Sequence, residues 1–279
     1  MCIRDRHKLL GVVTAKDLLT HGRAEPIAPL ILSDYISVKT TDDREYAANL
    51  FRRYGLIAIP VVDTEGCIVG IVTFHDAIGV LTEETTEDMQ KMAAMEANTE
   101  PYLKTSVWKH ARHRIVWLLV LMLSASITGA IISKYEAAFA AVPLLVSFIP
   151  MLMDTGGNCG SQSSTLIIRG LAVDELHFAD AAKVIWKELR VALLVGLGLS
   201  LVNAGSIMLR YNDPRLAVVV SLSLLCTVMC AKVTGGLLPI AAKRLGLDPA
   251  LMAAPLITTV VDTVSMFIYF TVATMLFGM

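Results

Sequence analysis

Excess charge of either sign is missing from this chain of 279 residues. Its 24 Lys and Arg are matched by 25 Asp and Glu, for a net charge of −1. That balance excludes the basic footprint of a nucleic-acid-binding protein. Cysteine is sparse: five residues, Cys2, Cys67, Cys159, Cys226 and Cys230, fall nowhere in CxxC spacing. A disulfide framework and a zinc site are therefore excluded. Cys226 and Cys230 share a helix face and read as small apolar residues. Residues 1–6 are polar, so no secretory leader is expected there. The largest deficit is regional, because ionisable side chains become rare after about residue 114.

What fills that region is apolar. Hydrophobic residues make up 55% of the chain and mean hydropathy is +0.62, too apolar for an ordinary soluble domain of this length. Residues 1–113 read as soluble and 114–279 as membrane-embedded. Residues 115–133 are 19 uncharged residues, long enough to span a bilayer. Further spans are expected at 137–153 continuing to 168, at 191–209, at 216–242 and at 249–277, five in all. Lys104, Lys109, Arg112, Arg114, Arg169, Lys183, Lys187, Arg190, Lys243 and Arg244 fall on one side of these spans. Only Lys134, Arg210 and Arg215 fall on the other. The positive-inside rule then places the N-terminal half in the cytoplasm and the C-terminus outside, in a plasma or inner membrane.

Three polar features stand out within the apolar half. Asp262 is the only ionisable residue between Pro249 and Met279. A carboxylate at mid-membrane costs about 2.5–3.5 kcal/mol and marks an ion or proton path. Thr258, Ser265 and Tyr269, at i−4, i+3 and i+7, are expected on its stripe of the helix. Residues 154–165 (DTGGNCGSQSST) hold three glycines among side-chain oxygens. Asp154, Asn158 and Gln162 recur every four residues there, which favours a polar conduit over a small-residue packing face. Pro143 and Pro150 are expected to kink the chain and free backbone carbonyls. Lys232 is a second mid-span charge, read as counter-ion to Asp154 or Asp262, or as snorkelling to the interface.

The soluble half repeats itself. GVVTAKDLLT at 11–20 returns as GIVTFHDAIG at 70–79, 59 residues later. Both run from a strand into a helix whose start is N-capped by Thr14 and Asp17 or by Thr73 and Asp76. Between them, 42–54 reads as an amphipathic helix, 57–63 as a strand, 64–66 as a turn and 67–72 as the hairpin partner. This repeat resembles the cystathionine-β-synthase (CBS) module, a paired regulatory unit that often binds adenosine nucleotides. The resemblance assigns residues 1–30 to a remnant of the first motif and 31–81 to the second, so the chain is expected to start inside a domain. ATP near Thr73 and Asp76 is an implied ligand. Residues 82–113 form an acidic connecting helix and linker. Glu83, Glu84, Glu87, Asp88, Glu96 and Glu100 there face a lone Lys91 between 82 and 100. Such clustered carboxylates repel one another until a cation neutralises them.

A CBS pair, an acidic helix and a five-helix membrane domain, in that order, resemble the MgtE-type magnesium channel family. The motifs that carry the resemblance are PMLMDTGGNCGSQSSTLIIRGLA (150–172) and LDPALMAAPLITTVVDT (247–263). The resemblance implies a homodimer in the lipid bilayer with a pore between its membrane halves. It places Asp262, Thr258, Gly157, Asn158, Gln162 and Thr165 along the pore. It also implies closure by intracellular Mg²⁺ at Asp43, Asp76, Glu84, Glu87, Asp88 and Asp248. Gly55 and Gly79 stand where some members carry gating aspartates, and Ser161 where some carry asparagine.

Mg²⁺ fits the chemistry, since it prefers oxygen ligands and keeps its water. Transport rather than catalysis is the expectation. An intramembrane aspartyl protease would need Asp154 and Asp262 to share a proton, and span counting sets them at different depths. The alternative reading is an ion-coupled secondary transporter or exchanger for divalent cations, for which internal membrane repeats would speak; none is visible. A purely sensory membrane protein would leave residues 154–165 unexplained.

Overall fold

The computed structural model describes residues 2–4, 7–22, 25–135 and 142–278. The start of the second expected span, at 137–141, lies outside them, as do Met1, Asp5, Arg6 and Met279. The chain divides into two compact units, Met1–Thr86 and Glu87–Met279.

In the first unit, β1 (Cys2–Arg4) pairs antiparallel with β2 (Lys8–Gly11). A second sheet has the order β3 (Val38–Lys39), β4 (Ala58–Val62), β5 (Ile68–Thr73). β3 lies parallel to β4, which requires a crossover, and α2 (Arg44–Tyr54) supplies it. The amphipathic face of α2 buries Ala48, Leu50 and Phe51 against Val38, Ile59 and Ala77. The expected hairpin is present, β4 running antiparallel to β5.

Both repeats are capped in the same way. Thr14 Oγ1 donates to Asp17 Oδ2 at 2.5 Å ahead of α1 (Ala15–Thr20). Thr73 Oγ1 donates to Asp76 Oδ2 at 2.6 Å ahead of α3 (Phe74–Met92). The helix expected at 42–54 begins at Arg44 because Asp43 caps it, accepting the Glu45 N–H at 2.9 Å. α2 ends on Gly55 at φ 61°. α3 differs from expectation. The closing helix of the second repeat and the acidic helix expected from residue 82 are one uninterrupted element.

The second unit is a helical bundle: α4 (Val107–Lys134), α5 (Ile149–Ala172), α6 (Ala181–Tyr211), α7 (Pro214–Arg244) and α8 (Ala254–Phe277). Short 3₁₀ turns, Pro143–Phe148 and Pro249–Met252, lead into α5 and α8. Asn212, at φ 50°, and the Asp213 cap turn α6 into α7. Among the described residues, four helical segments are long and apolar enough to cross a membrane: Val107–Lys134, Phe178–Tyr211, Pro214–Arg244 and Pro249–Phe277. α5, the second of the five expected spans, has the length, about 36 Å at 1.5 Å per residue, but not the composition. It is embedded in the bundle instead, burying Leu152, Gly156, Gly157, Cys159 and Gly160 among other residues. The core runs through Leu145, Leu152, Leu216, Leu224, Ile257, Met266 and Phe270.

Pro143 and Pro150 do not act as kinks. Pro143 opens a 3₁₀ turn and Pro150 lies in the first turn of α5, where a missing N–H costs nothing. α5 is helical throughout residues 154–165, so its carbonyls stay within the helix.

Gly55 occupies a left-handed position that a Cβ disfavours. Gly55→Ala is expected to lower stability by about 1 kcal/mol, read as a reduced unfolding midpoint of the first unit by circular dichroism.

Candidate functional site

α5 has two different faces. Toward α7 and α8 it is made of small residues. A Cβ on Gly156 would sit 2.7 Å from Thr227 Cγ2, and one on Gly160 would sit 2.7 Å from Ile257 Cγ2. Across from them, a Cβ on Gly235 would collide with the Gly160 carbonyl oxygen. Here the packing role weighed for this motif is met, since glycine lets the backbones touch. The opposite face is polar. Asp154, Asn158, Gln162 and Thr165 are all exposed, at the spacing that aligns them on one stripe.

That stripe borders Asp262. Gly157 packs directly on Thr258, where an added Cβ would lie 2.9 Å from Thr258 Cγ2. Asp262, one turn further along α8, is half-buried, and the charge of Asp154 acts on it. Span counting had set these carboxylates apart. The continuous helix of α5 instead brings Asp154 within electrostatic range. Among the described residues, neither carboxylate has a cationic partner.

The expected stripe on α8 is only half realised. Thr258 and Asp262 keep partial access, while Ser265 and Tyr269 are buried. Ser265 Oγ bonds the Val261 carbonyl at 2.6 Å, and the Tyr269 hydroxyl donates to the Leu145 carbonyl at 2.8 Å. The turn Pro143–Phe148 covers this end of α8, so the lower stripe is sealed. Two further bonds seat the helices that carry the site. Ser164 Oγ donates to the Met252 carbonyl at 2.8 Å, tying α5 to the turn before α8. Thr128 and Thr263 hydroxyls meet at 2.8 Å between α4 and α8.

Lys232 is not the counter-ion of Asp154 or Asp262. It is buried on α7, where Nζ donates to Ser163 Oγ at 3.3 Å. Ser163 in turn donates to Glu188 Oε2 at 2.6 Å. Glu188 and Ser163 escape a sequence reading because only the packing of α5, α6 and α7 brings them together. The one available signal was a carboxylate near the start of an apolar helix.

The acidic candidates occupy separate positions. In the first unit, Asp43 caps α2, Asp76 accepts from Thr73, and Glu84 pairs with Arg44 at 2.9 Å. In the second, Glu87 and Asp248 share Lys91, each at 2.6 Å from Nζ. Asp88 lies on the same helix. Partial burial works against the charge on Lys91. The hydrogen bonds and charges of Asp248 and Glu87 nonetheless hold it protonated above the ordinary lysine range. Among the described residues, no three His, Cys, Asp or Glu side chains are grouped to hold a metal ion. The hydroxyl of Thr73, the nucleotide candidate, is occupied by Asp76.

Together these features define a multi-pass helical membrane protein with a small α/β domain ahead of its bundle and a polar seam along one inner helix. Residues 149–272 match the MgtE family, described as a divalent cation transporter, and residues 27–83 match the CBS domain. Over 276 residues the chain is 37% identical to the magnesium transporter MgtE of Thermus thermophilus, covering 98% of this chain and 61% of that protein. It is 35% identical over 272 residues to the Bacillus subtilis magnesium transporter MgtE, covering 98% and 60%. The corresponding figures for the Enterococcus faecalis magnesium transporter MgtE are 31% over 275 residues, 98% and 60%. Residues 149–272 thus match the MgtE family and the similarity to these transporters runs over nearly the whole chain, which spans about three-fifths of the length of these relatives.

Gly235 has no room for a side chain. Gly235→Val is expected to force α5 and α7 apart and cost about 1–3 kcal/mol, measured as a lower thermal midpoint of the detergent-solubilised protein.

Proposed function

We propose that two copies of this chain form a Mg²⁺ path across the membrane, conducting inward down the electrochemical gradient. One observation carries the reading: the polar stripe of α5, Asp154, Asn158, Gln162 and Thr165, lies on its exposed face beside half-buried Asp262. Hydrocarbon offers such a face no hydrogen bonds. Water and a second copy of the same face would. Across a twofold seam the carboxylates double, giving a negative site for a hydrated dication. Mg²⁺ sheds water reluctantly, so Asp262 would act on the hydrated ion as a charge. The Thr258 and Gly157 contact holds α5 against α8, while Asn158, Gln162 and Thr165 offer oxygens to its water shell. Binding through a ring of carboxylates is loose enough to permit exit. The relatives' name, magnesium transporter, supports the choice of ion.

Closure by intracellular Mg²⁺ belongs to the same proposal, through Asp43, Asp76, Glu84, Glu87, Asp88 and Asp248. The placement of Lys91 gives it a physical form. Its ammonium bridges Glu87 on α3 and Asp248 before α8, so an internal cation occupies the position that a regulatory dication would take. Mg²⁺ entering there must displace Lys91. Adenosine nucleotide at Thr73 and Asp76 would likewise have to break their mutual hydrogen bond.

Asp262→Asn is expected to reduce Mg²⁺ influx into proteoliposomes to that of empty vesicles while dimers still form; undiminished influx removes Asp262 from the path. Lys91→Met takes away the tethered competitor. The Mg²⁺ concentration that half-closes the conductance is expected to fall about fivefold, the effect of one exposed ion pair, in patches with Mg²⁺ varied on the CBS side. An unchanged value would separate Lys91 from gating.

A further inference from the structure

Among the described residues, Lys232 and Glu188 are the two charged residues buried most deeply in the bundle, at 5% and 8% exposure. They sit on different helices, α7 and α6. Charges in a membrane interior are retained where they face protein and serve a function. The proposed path uses neither of them. They meet through Ser163 of α5, whose single hydroxyl donates to Glu188 at 2.6 Å and accepts from Lys232 at 3.3 Å. A serine has one proton to give and lone pairs to receive, so this order of bonds matches an anion on one side and a cation on the other.

Ser163 lies on the buried face of α5, five residues beyond Asn158 and therefore about 140° around the helix from the polar stripe. Cys159, one turn earlier on the same face, is buried too. Gly160 and Gly235 bring the backbones of α5 and α7 into contact, with Ile257 of α8 also against Gly160. A small-residue seam sets how close two helices come, and the Ser164 bond to the Met252 carbonyl ties α5 to the turn before α8. A charged pair reached through one hydroxyl fixes rotation strongly, since turning α5 would strand both charges.

We propose that Lys232, Ser163 and Glu188 form an internal clamp, a set of positioning residues that locks the rotation of α5 so that Asp154, Asn158 and Gln162 face the ion path. The functional consequence rests on the transport reading above; the clamp itself does not.

The test labels Cys159 with N-ethylmaleimide in membranes and quantifies its peptide by mass spectrometry, beside Mg²⁺ influx in proteoliposomes. Ser163→Ala deletes one oxygen and Lys232→Met one charge. Each is expected to speed Cys159 labelling about tenfold or more and to raise the Mg²⁺ concentration for half-maximal influx. Lys232→Met combined with Glu188→Gln removes the clamp and leaves no stranded charge, so Cys159 is expected to label about as fast as in Lys232→Met. A Ser163→Ala protein that protects Cys159 as wild type does overturns the clamp, as does a double variant that labels within about twofold of wild type, since stranded charge alone would then explain the single variants. If the wild-type chain carries no Mg²⁺ at all, the transport reading fails and Cys159 protection still decides the clamp.

Discussion

The near-contact of the α5 and α7 backbones at Gly160 and Gly235 is the constraint on which the membrane unit depends. Between lipid-embedded helices there is no hydrophobic drive to associate, so packing and internal hydrogen bonds must hold the bundle. Removing side chains along one face of α5 lets it sit against α7 and α8 at backbone distance. That dense packing on one side permits a helix with Asp154, Asn158 and Gln162 on its other side to belong to a membrane bundle. Had the glycines been larger residues, α5 would stand off, and both the Gly157 contact with Thr258 and the proximity of Asp154 to Asp262 would be lost. The polar seam is thus a consequence of where side chains are absent.

Much of this was legible in the residues because it is local. The Thr14–Asp17 and Thr73–Asp76 caps follow from three-residue spacing, and the structure closes both in the same way. The four-residue recurrence of Asp154, Asn158 and Gln162 requires only helical periodicity, and the face it predicts is the exposed one. A polar face and a small-residue packing face are the two sides of one helix in residues 154–165.

What could not be read is what long-range packing decides. Tyr269 falls on the Asp262 stripe by periodicity, yet the turn Pro143–Phe148, more than a hundred residues earlier, covers it and takes its hydrogen bond. Lys232 was visibly in need of a counter-ion. Which carboxylate would reach it depended on the seating of α5, α6 and α7, and the partner is Glu188 through Ser163 rather than either aspartate. The expected kinks at Pro143 and Pro150 failed for a different reason. Both prolines stand in first turns, where the missing N–H has no partner to lose.

The treatment of charge separates the site from the scaffold. Where the bundle buries a cation, it brings a carboxylate to it, as with Lys232 and Glu188. Where carboxylates gather outside the membrane, a lysine bridges them, as Lys91 does for Glu87 and Asp248. Asp154 and Asp262 depart from this pattern. They have the same sign, lie within each other's field and have no basic partner among the described residues. Two like charges at the edge of a low-dielectric region repel each other more strongly than they would in water. A positive charge supplied from outside the chain would relieve that repulsion. Against that background of internally paired charge, the open pair of Asp154 and half-buried Asp262 beside an exposed polar face is the feature on which the proposed cation path rests.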